Sequence, residues 1–562
     1  RHLEGHDEKP KNAWGHFITR FEAGFARLRD RYGGMLAWTL QHRRAFMVCF
    51  LAFVVASVSL MPLLGRDFFP TVDAGLIKLH VRGVPGTRIE ETERKFVQIE
   101  DAIRTVIPAE HIQSLIDNIG IPYSGLNLSL SEGALISPAD GEIFIALKKD
   151  HPPTAPYVRK IREMLPQRFP EETFFFLAPD ISTQVLNFGL PAPIDVQVVG
   201  ASGNEDANFA VAKEIATRVA SVPGAVDVHL AQVPKQPELR IDVDRTMAGQ
   251  VGLTEKDVAS DLLVSLASSQ VVQPTYWLDK RGVQYLVAVQ TPQRDIDSII
   301  ALAASPISNG SEQPQLLSNM AAITRTEGPV NITHYNIART YDVQANVDGT
   351  DLGSVADKVT HIVDQMKPNL PRGTSIHIKG QVESMESSFR GLGFGLIFAI
   401  LLVYLLMVVN FQSWLDPLVI LMALPGAIAG IAWILFLAHT TLSVPALMGS
   451  IMCVGVATAN SILVVTFAND MREAGFDATK AALAAGMTRL RPVIMTALAM
   501  ILGMLPMSLG LGEGGEQNAP LGRAVIGGLL LATVTTLFFV PVMYSVLRRH
   551  APEPVDPLLE EV

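Results

Sequence analysis

The chain has 562 residues, 49% of them hydrophobic and 18% charged, with a net charge of −10. Soluble domains carry roughly 25% charged residues. The low charge and a mean hydropathy of +0.29 exclude a disordered or fibrous chain and argue against a wholly soluble one. The acidic balance argues against a nucleic-acid binder. Two cysteines, Cys49 and Cys453, cannot build a disulfide framework or a four-thiolate zinc site. Both fall in apolar runs and read as small buried hydrophobes.

Residues 1–44 read as a cytoplasmic amphipathic segment whose first 30 or so residues are polar and of mixed charge, without the pattern of a signal peptide. Within them, 14–40 reads as an amphipathic helix lying at the cytoplasmic surface. The chain opens on Arg1, so it is expected to be a fragment or to have a processed start. An uncharged run at 45–65, flanked by Arg43, Arg44 and Arg66, is long enough for a first membrane span.

Residues 66–390 alternate strand and helix signals. The stretch 76–82 alternates with period two, and Gly86-Thr87 opens a helix to about 107 with Glu90, Glu91 and Glu93 in its first turns. Strands are expected at 113–118 and 143–148, and a helix at 156–165. The pattern restarts with strand 194–199, helix 206–222, strands 225–231 and 239–243, and helix 254–267. Strands near 283–290 and 341–347, helix 352–366 and strand 375–379 follow. Repeated β-α-β-β-α-β units are the ferredoxin-like motif. The segment 268–339 fits this pattern poorly and reads as an inserted subdomain. No nucleophile elbow, zinc-protease motif, P-loop or dinucleotide fingerprint occurs, so an enzyme is not expected.

Beyond Arg390 the chain turns apolar. Asp416 is the single formal charge between Gly391 and Asn469, and His439 the other polar break. Spans are expected at 391–410, 417–438, 442–468, 493–511 and 524–547, which makes six in all, with a tail at 548–562. Asn410 to Pro417 reads as a short turn with an interfacial Trp414, and Gly510 to Gly522 as a Gly-rich acidic loop. Arg43 and Arg44, then Arg472, Lys480, Arg489 and Arg491, then Arg548 and Arg549 mark the cytoplasmic side. Both termini are therefore expected in the cytoplasm and 66–390 outside. Gly426, Gly430, Gly449, Gly455, Gly527 and Gly528 suit close helix packing, with Pro425 placed for a bend.

One span, about 325 outer residues and five further spans resemble one half of a resistance–nodulation–division (RND) efflux pump. Asp67-Phe68-Phe69-Pro70-Thr71-Val72-Asp73-Ala74-Gly75 with Pro85-Gly86-Thr87 is similar to the segment following that family's seventh span. Gly455 to Val465 resembles its tenth span, Arg489 to Thr496 the start of its eleventh, and Glu516-Gln517-Asn518-Ala519 the loop before its twelfth. The resemblance runs from about residue 12 to 549.

It implies an inner-membrane permease of the hydrophobe/amphiphile, multidrug type, exporting small molecules against proton influx. Its polytopic α-helical membrane part would carry outer porter and docking subdomains. It implies a homotrimer working with a periplasmic membrane-fusion adaptor and an outer-membrane channel. No cofactor is implied beyond the proton gradient, and no resident metal. The partner half, with the two aspartates of the fourth span, is expected to be missing. In the family a lysine, an arginine and a threonine face those aspartates. Arg489 and Thr496 match the last two, Asn460 matches the neighbour of the lysine, and the lysine position itself is Ala459. A carboxylate pair without that lysine has a raised pKa. A variant relay through Asn460, Thr496 and water, an uncoupled pump, and an altered fourth span are the three alternatives.

By the same resemblance Ile116, Ile121, Tyr123 and Phe144 would line the substrate pocket, with 125–141 as its gating loop. A plain core role is the alternative for Ile116 and Phe144. Mostly aliphatic lining favours an aliphatic or amphipathic substrate over flat aromatic drugs. Metal export is the family's other branch, and it needs soft or imidazole ligands along the path. Between Phe68 and Glu163 there is no Met or Cys, which argues against copper or silver. A transport-dead half and an RND-like lipid or protein export factor are the remaining readings.

Overall fold

A computed structural model describes residues 13–121, 134–201, 203–272, 274–310, 313–512 and 514–548. Helix α1 (Ala13–Gln41) leads through His42 into α2 (Arg43–Val58). The outer region then begins with β1 (Leu76–Arg82), α3 (Ile89–Val106), β2 (Ile112–Ile119), β3 (Asp140–Leu147), α4 (Thr154–Arg168) and β4 (Thr173–Leu177). Its sheet has the order β2-β3-β1-β4, antiparallel throughout. Period-two alternation sends Ile77, Leu79 and Val81 into a core with Phe96, Ile99 and Ile103 of α3 and Ile161 and Leu165 of α4. The sequence reading had no β4, because Phe174-Phe175-Phe176 shows no alternation. Both its faces are covered, so no polar residue marks a solvent side.

The second unit comprises β5 (Ile194–Gly200), α5 (Glu205–Ala220) and β6 (Ala225–Leu230). After an insertion it resumes with β13 (Thr333–Tyr335), β14 (Ala338–Val347), α7 (Leu352–Met366) and β15 (Ser375–Gly380). Its main strands have the order β6-β14-β5-β15, the same arrangement of first, second, third and fourth strands as in the first unit. The insertion holds β7 (Gln236–Val243), α6 (Glu255–Ala267), the hairpin β8 (Thr275–Leu278)–β9 (Gln284–Val287), the short pair β10 (Pro306–Ile307)–β11 (Gln315–Leu316), and β12 (Ala321–Gly328). Strand β7 pairs with β12 alone, and α6 packs Val258 and Leu262 on Leu302, Ile307 and Met320. Both elements thus belong with the insertion, which starts ahead of the boundary read near 268.

Six helical stretches among the described residues are long and apolar enough to cross a membrane: α2 with the turn to Leu63, then α8 (Gln381–Phe411), α9 (Leu415–Leu421) with α10 (Leu424–Leu437), α11 (Val444–Glu473), α12 (Ala478–Ser508) and α13 (Gly515–Leu547). The break at Met422–Ala423 falls just before Pro425, whose missing N–H suits a helix start. The acidic loop is shorter than read from sequence. Helix α13 starts at Gly515, with Gly514 in the left-handed region and Glu516 favourably placed in the first turn.

Glycines decide how closely α13 is approached. A Cβ on Gly430 would lie 2.2 Å from the Gly527 carbonyl, and one on Gly449 2.7 Å from the Leu521 carbonyl. Gly455 differs, with open space beside it. Cys453 is buried as expected, but Cys49 is exposed on α2. The apolar surface of α2 faces outward, little of it covered by the described residues.

Candidate functional site

The motif segment after α2 is a joint. The Arg66 amide donates to Asp351 and the Leu352 amide to the Asp67 carboxylate (2.8 Å), at the start of α7. The Val444 amide at the start of α11 donates to the Phe68 carbonyl (3.1 Å). Asp73 accepts from the Thr154 amide at the start of α4 (2.7 Å), while its own amide donates to Glu516 of α13 (3.1 Å). Two motifs far apart in sequence thus meet, and one strap touches the first turns of two span helices and two outer helices. Burial raises the Asp67 carboxyl, partly offset by the Leu352 amide.

Where the two outer units meet, the second face of β1 is buried as well. Lys78, His80 and Arg82, which alternation would leave in water, are 6%, 0% and 9% exposed. The Phe175 ring is stacked between His80 (centroids 4.3 Å apart) and His229 of β6 (3.6 Å). Arg82 donates to Asp140 (2.9 Å) and to the Leu230 and Ala231 carbonyls across the interface. Burial lowers His80 to about 4 and His229 to about 3, so both are neutral at physiological pH. Burial opposes ionisation of Asp140, but its contacts with His80 and Arg82 prevail and hold it below the usual carboxylate range. On the second sheet Asp195 and Asp342, both buried, are raised by desolvation, and Asp195 further by its acidic neighbour.

In the helices, the Thr496 hydroxyl lies 2.6 Å from the Pro492 carbonyl and 3.1 Å from Asn460 Oδ1. It has one proton for these two acceptors and the Val493 carbonyl (3.3 Å), and the shortest contact is a local helix bond. Asn460 is 3% exposed. Arg489 stands two turns, about 10 Å, before Thr496 along α12. Its guanidinium lies 5.0 Å from the Phe467 ring centre, and its buried Nε has no hydrogen-bond partner among the described residues. The geometry therefore joins Thr496 to Asn460 and leaves Arg489 apart from both. Ala459 is exposed on α11, on the same face as Met448, Met452 and Gly455.

A polar cluster that sequence reasoning missed closes one end of this bundle. Asp416, 2% exposed, accepts from Arg548 Nε (2.9 Å), Arg548 Nη2 and Asn469 (3.2 Å), and Tyr544 donates to Asn469 (2.6 Å). The signal was present, since Asp416 is the lone charge in a 79-residue run and such charges are paired.

Of the pocket residues, Ile116 and Phe144 are directly opposite each other on β2 and β3. At 60% and 36% exposed they lie on the face away from the core, so the core role is set aside. Lys78 Nζ lies 5.3 Å from the Phe144 ring centre. Ile121, two residues past β2, is 49% exposed. Tyr123 and most of the expected gating loop, 125–133, lie outside the described residues. No group of three His, Cys, Asp or Glu side chains suited to a metal ion occurs among the described residues.

Comparison with known proteins gives a consistent picture. The profile of the AcrB/AcrD/AcrF family matches residues 2–548. The cobalt-zinc-cadmium resistance protein CzcA of Cupriavidus metallidurans is 26% identical over 94% of this chain, and Protein HelA of Legionella pneumophila 28% over 97%. The swarming motility protein SwrC of Bacillus subtilis is 25% identical over 93%. The crystal structure of a heavy metal efflux pump superposes on 94% of the chain with a TM-score of 0.77 at 25% identity. The chain spans about half the length of these relatives, 49% of CzcA and 52% of the pump of known structure. Two of these relatives are named for cobalt-zinc-cadmium resistance and for heavy metal efflux, and none of them is named for export of amphiphilic drugs.

Proposed function

Since the chain belongs to the AcrB/AcrD/AcrF family of RND efflux permeases, we propose that it contributes six membrane spans and an outer α/β region to a pump exporting divalent transition-metal cations, driven by proton influx. The observation that carries the cargo is the similarity to the cobalt-zinc-cadmium resistance protein. The first outer unit agrees with it. Residues 68–163 lack the sulfur ligands that copper and silver prefer, while cobalt, zinc and nickel accept imidazole and carboxylate. Amphiphile export is the second reading, favoured by the exposed Ile116–Phe144 pair.

The strand orders β2-β3-β1-β4 and β6-β14-β5-β15 support two ferredoxin-like porter subdomains, with the insertion as docking subdomain. Its exposed Tyr276, Trp277, Leu278 and Tyr285 form an apolar hairpin suited to a neighbouring copy in a homotrimer. An adaptor and an outer-membrane channel would complete the path. The Lys/Arg distribution supports cytoplasmic termini and an inner-membrane location. The exposed face of α11 around Ala459 would pack against further helices of the pump, where acidic partners for Arg489, Thr496 and Asn460 would lie.

The test is tolerance of cells carrying this pump with Arg489→Ala, measured on zinc, cobalt, nickel and cadmium salts and on amphiphilic dyes at unchanged membrane levels. Lowered metal tolerance alone is expected. Lowered dye tolerance alone favours the second reading, and no change on either removes Arg489 from the relay.

A further inference from the structure

A groove of about 620 Å³ lies between α1, α2 and α13, walled by Trp38, Phe46, Phe50, Phe538 and Phe539. Its Thr39 and Thr535 hydroxyls are turned back onto the Leu36 and Leu531 carbonyls, so they offer a ligand little. Arg31 is the cationic group in the lining. The transport reading uses none of these residues.

Depth in the membrane narrows the occupant. Phe46 and Phe50 come three and seven residues after Arg43, about 5–10 Å along α2. Phe538 and Phe539 precede Arg548 by nine or ten residues, about 14 Å along α13. The groove therefore sits within one leaflet, beneath Arg31, Arg43, Arg44 and Arg548. Along α1, the exposed Arg20, Arg27 and Arg31 run beside the exposed Leu28, Met35 and Trp38. That pairing suits a helix lying at a headgroup surface, and it ends at the groove.

We infer that this groove binds one anionic phospholipid, a phosphatidylglycerol, with an acyl chain against the aromatic wall and its phosphate at Arg31. Charge complementarity selects the headgroup, since a basic group beside an apolar slot on the cytoplasmic side recognises anionic lipid. The inference rests on the proposed membrane orientation and is independent of the cargo.

The test is native mass spectrometry of the full chain extracted from membranes of phosphatidylethanolamine and phosphatidylglycerol. One retained phosphatidylglycerol is expected. Arg31→Gln lowers its occupancy about five-fold, and Phe538→Ala lowers retention of any lipid. Arg240→Gln, in the insertion, leaves both unchanged. In a second measurement, brominated phosphatidylglycerol quenches Trp38 fluorescence, read as wild type minus Trp38→Phe, more than brominated phosphatidylethanolamine does. Equal retention of both lipids, indifference to Arg31→Gln, equal quenching by the two lipids, or a co-purified membrane peptide in place of lipid would overturn the inference. Loss of efflux with lipid binding intact would bear only on the transport reading.

Discussion

Two polar groups sit among the apolar helices and differ in how complete they are. Around Asp416, the described partners saturate one another: a paired guanidinium, an amide and a phenol, drawn from α9, α11 and α13. Around Arg489, Thr496 and Asn460, the cation has an aromatic ring for company and an Nε unused among the described residues, and the threonine shares one proton among three acceptors. A closed network holds a structure in one arrangement. An open one is poised to take a partner. The difference separates a clamp from a candidate relay without recourse to any sequence motif.

Substitution should split the two accordingly. The largest effect is expected from Asp416→Ala, which strands Arg548 and should destabilise the helical part by about 3 kcal/mol. Thermal unfolding in detergent reads this directly, and an unchanged midpoint would dissolve the clamp. Next comes a control outside the membrane. His80 has a lowered folded pKa, so its stabilising contribution is full above the unfolded value of 6.5 and is lost as pH falls through about 4. The pH-dependent loss attributable to His80 is about 3 kcal/mol, and His80→Gln should flatten that part of the stability profile of the outer region. Arg489→Ala should move the unfolding midpoint little, its Phe467 contact contributing about 0.5–1 kcal/mol, while stopping transport. A large midpoint shift would make Arg489 structural and erase the contrast. The smallest effect is the Thr496–Asn460 coupling. A double-mutant cycle to alanine should give about 0.6 kcal/mol, and a value near zero would mean that Thr496 serves only its own helix.

Much of the fold was legible because its alternation was clean. Ile77, Leu79 and Val81, or Ile194, Val196 and Val198, identify strands with one apolar face. What stayed hidden was how the units cover one another. His80, His229 and Asp195 look like residues of a wet face, and only the contact between the two units or the packing of the second sheet buries them. The insertion boundary was misplaced because β7 alternates like a sheet strand, and its one partner, β12, lies about 80 residues on. At the candidate site, Thr496 and Asn460 were brought together, whereas Arg489 was not. The Asp416 cluster escaped because its members lie in separate loops and helix ends that read singly as turn and positive-inside residues.

The strap from Arg66 to Asp73 makes the outer region a lever on the helices. Its bonds reach the first turns of α11 and α13 on one side and of α7 and α4 on the other. A segment this short, closed by backbone amides at both ends, cannot stretch to absorb relative motion. A change in tilt of α11 or α13 would therefore pull on the first turns of α7 and α4, which belong to the two outer units that meet at the His80–Phe175–His229 stack.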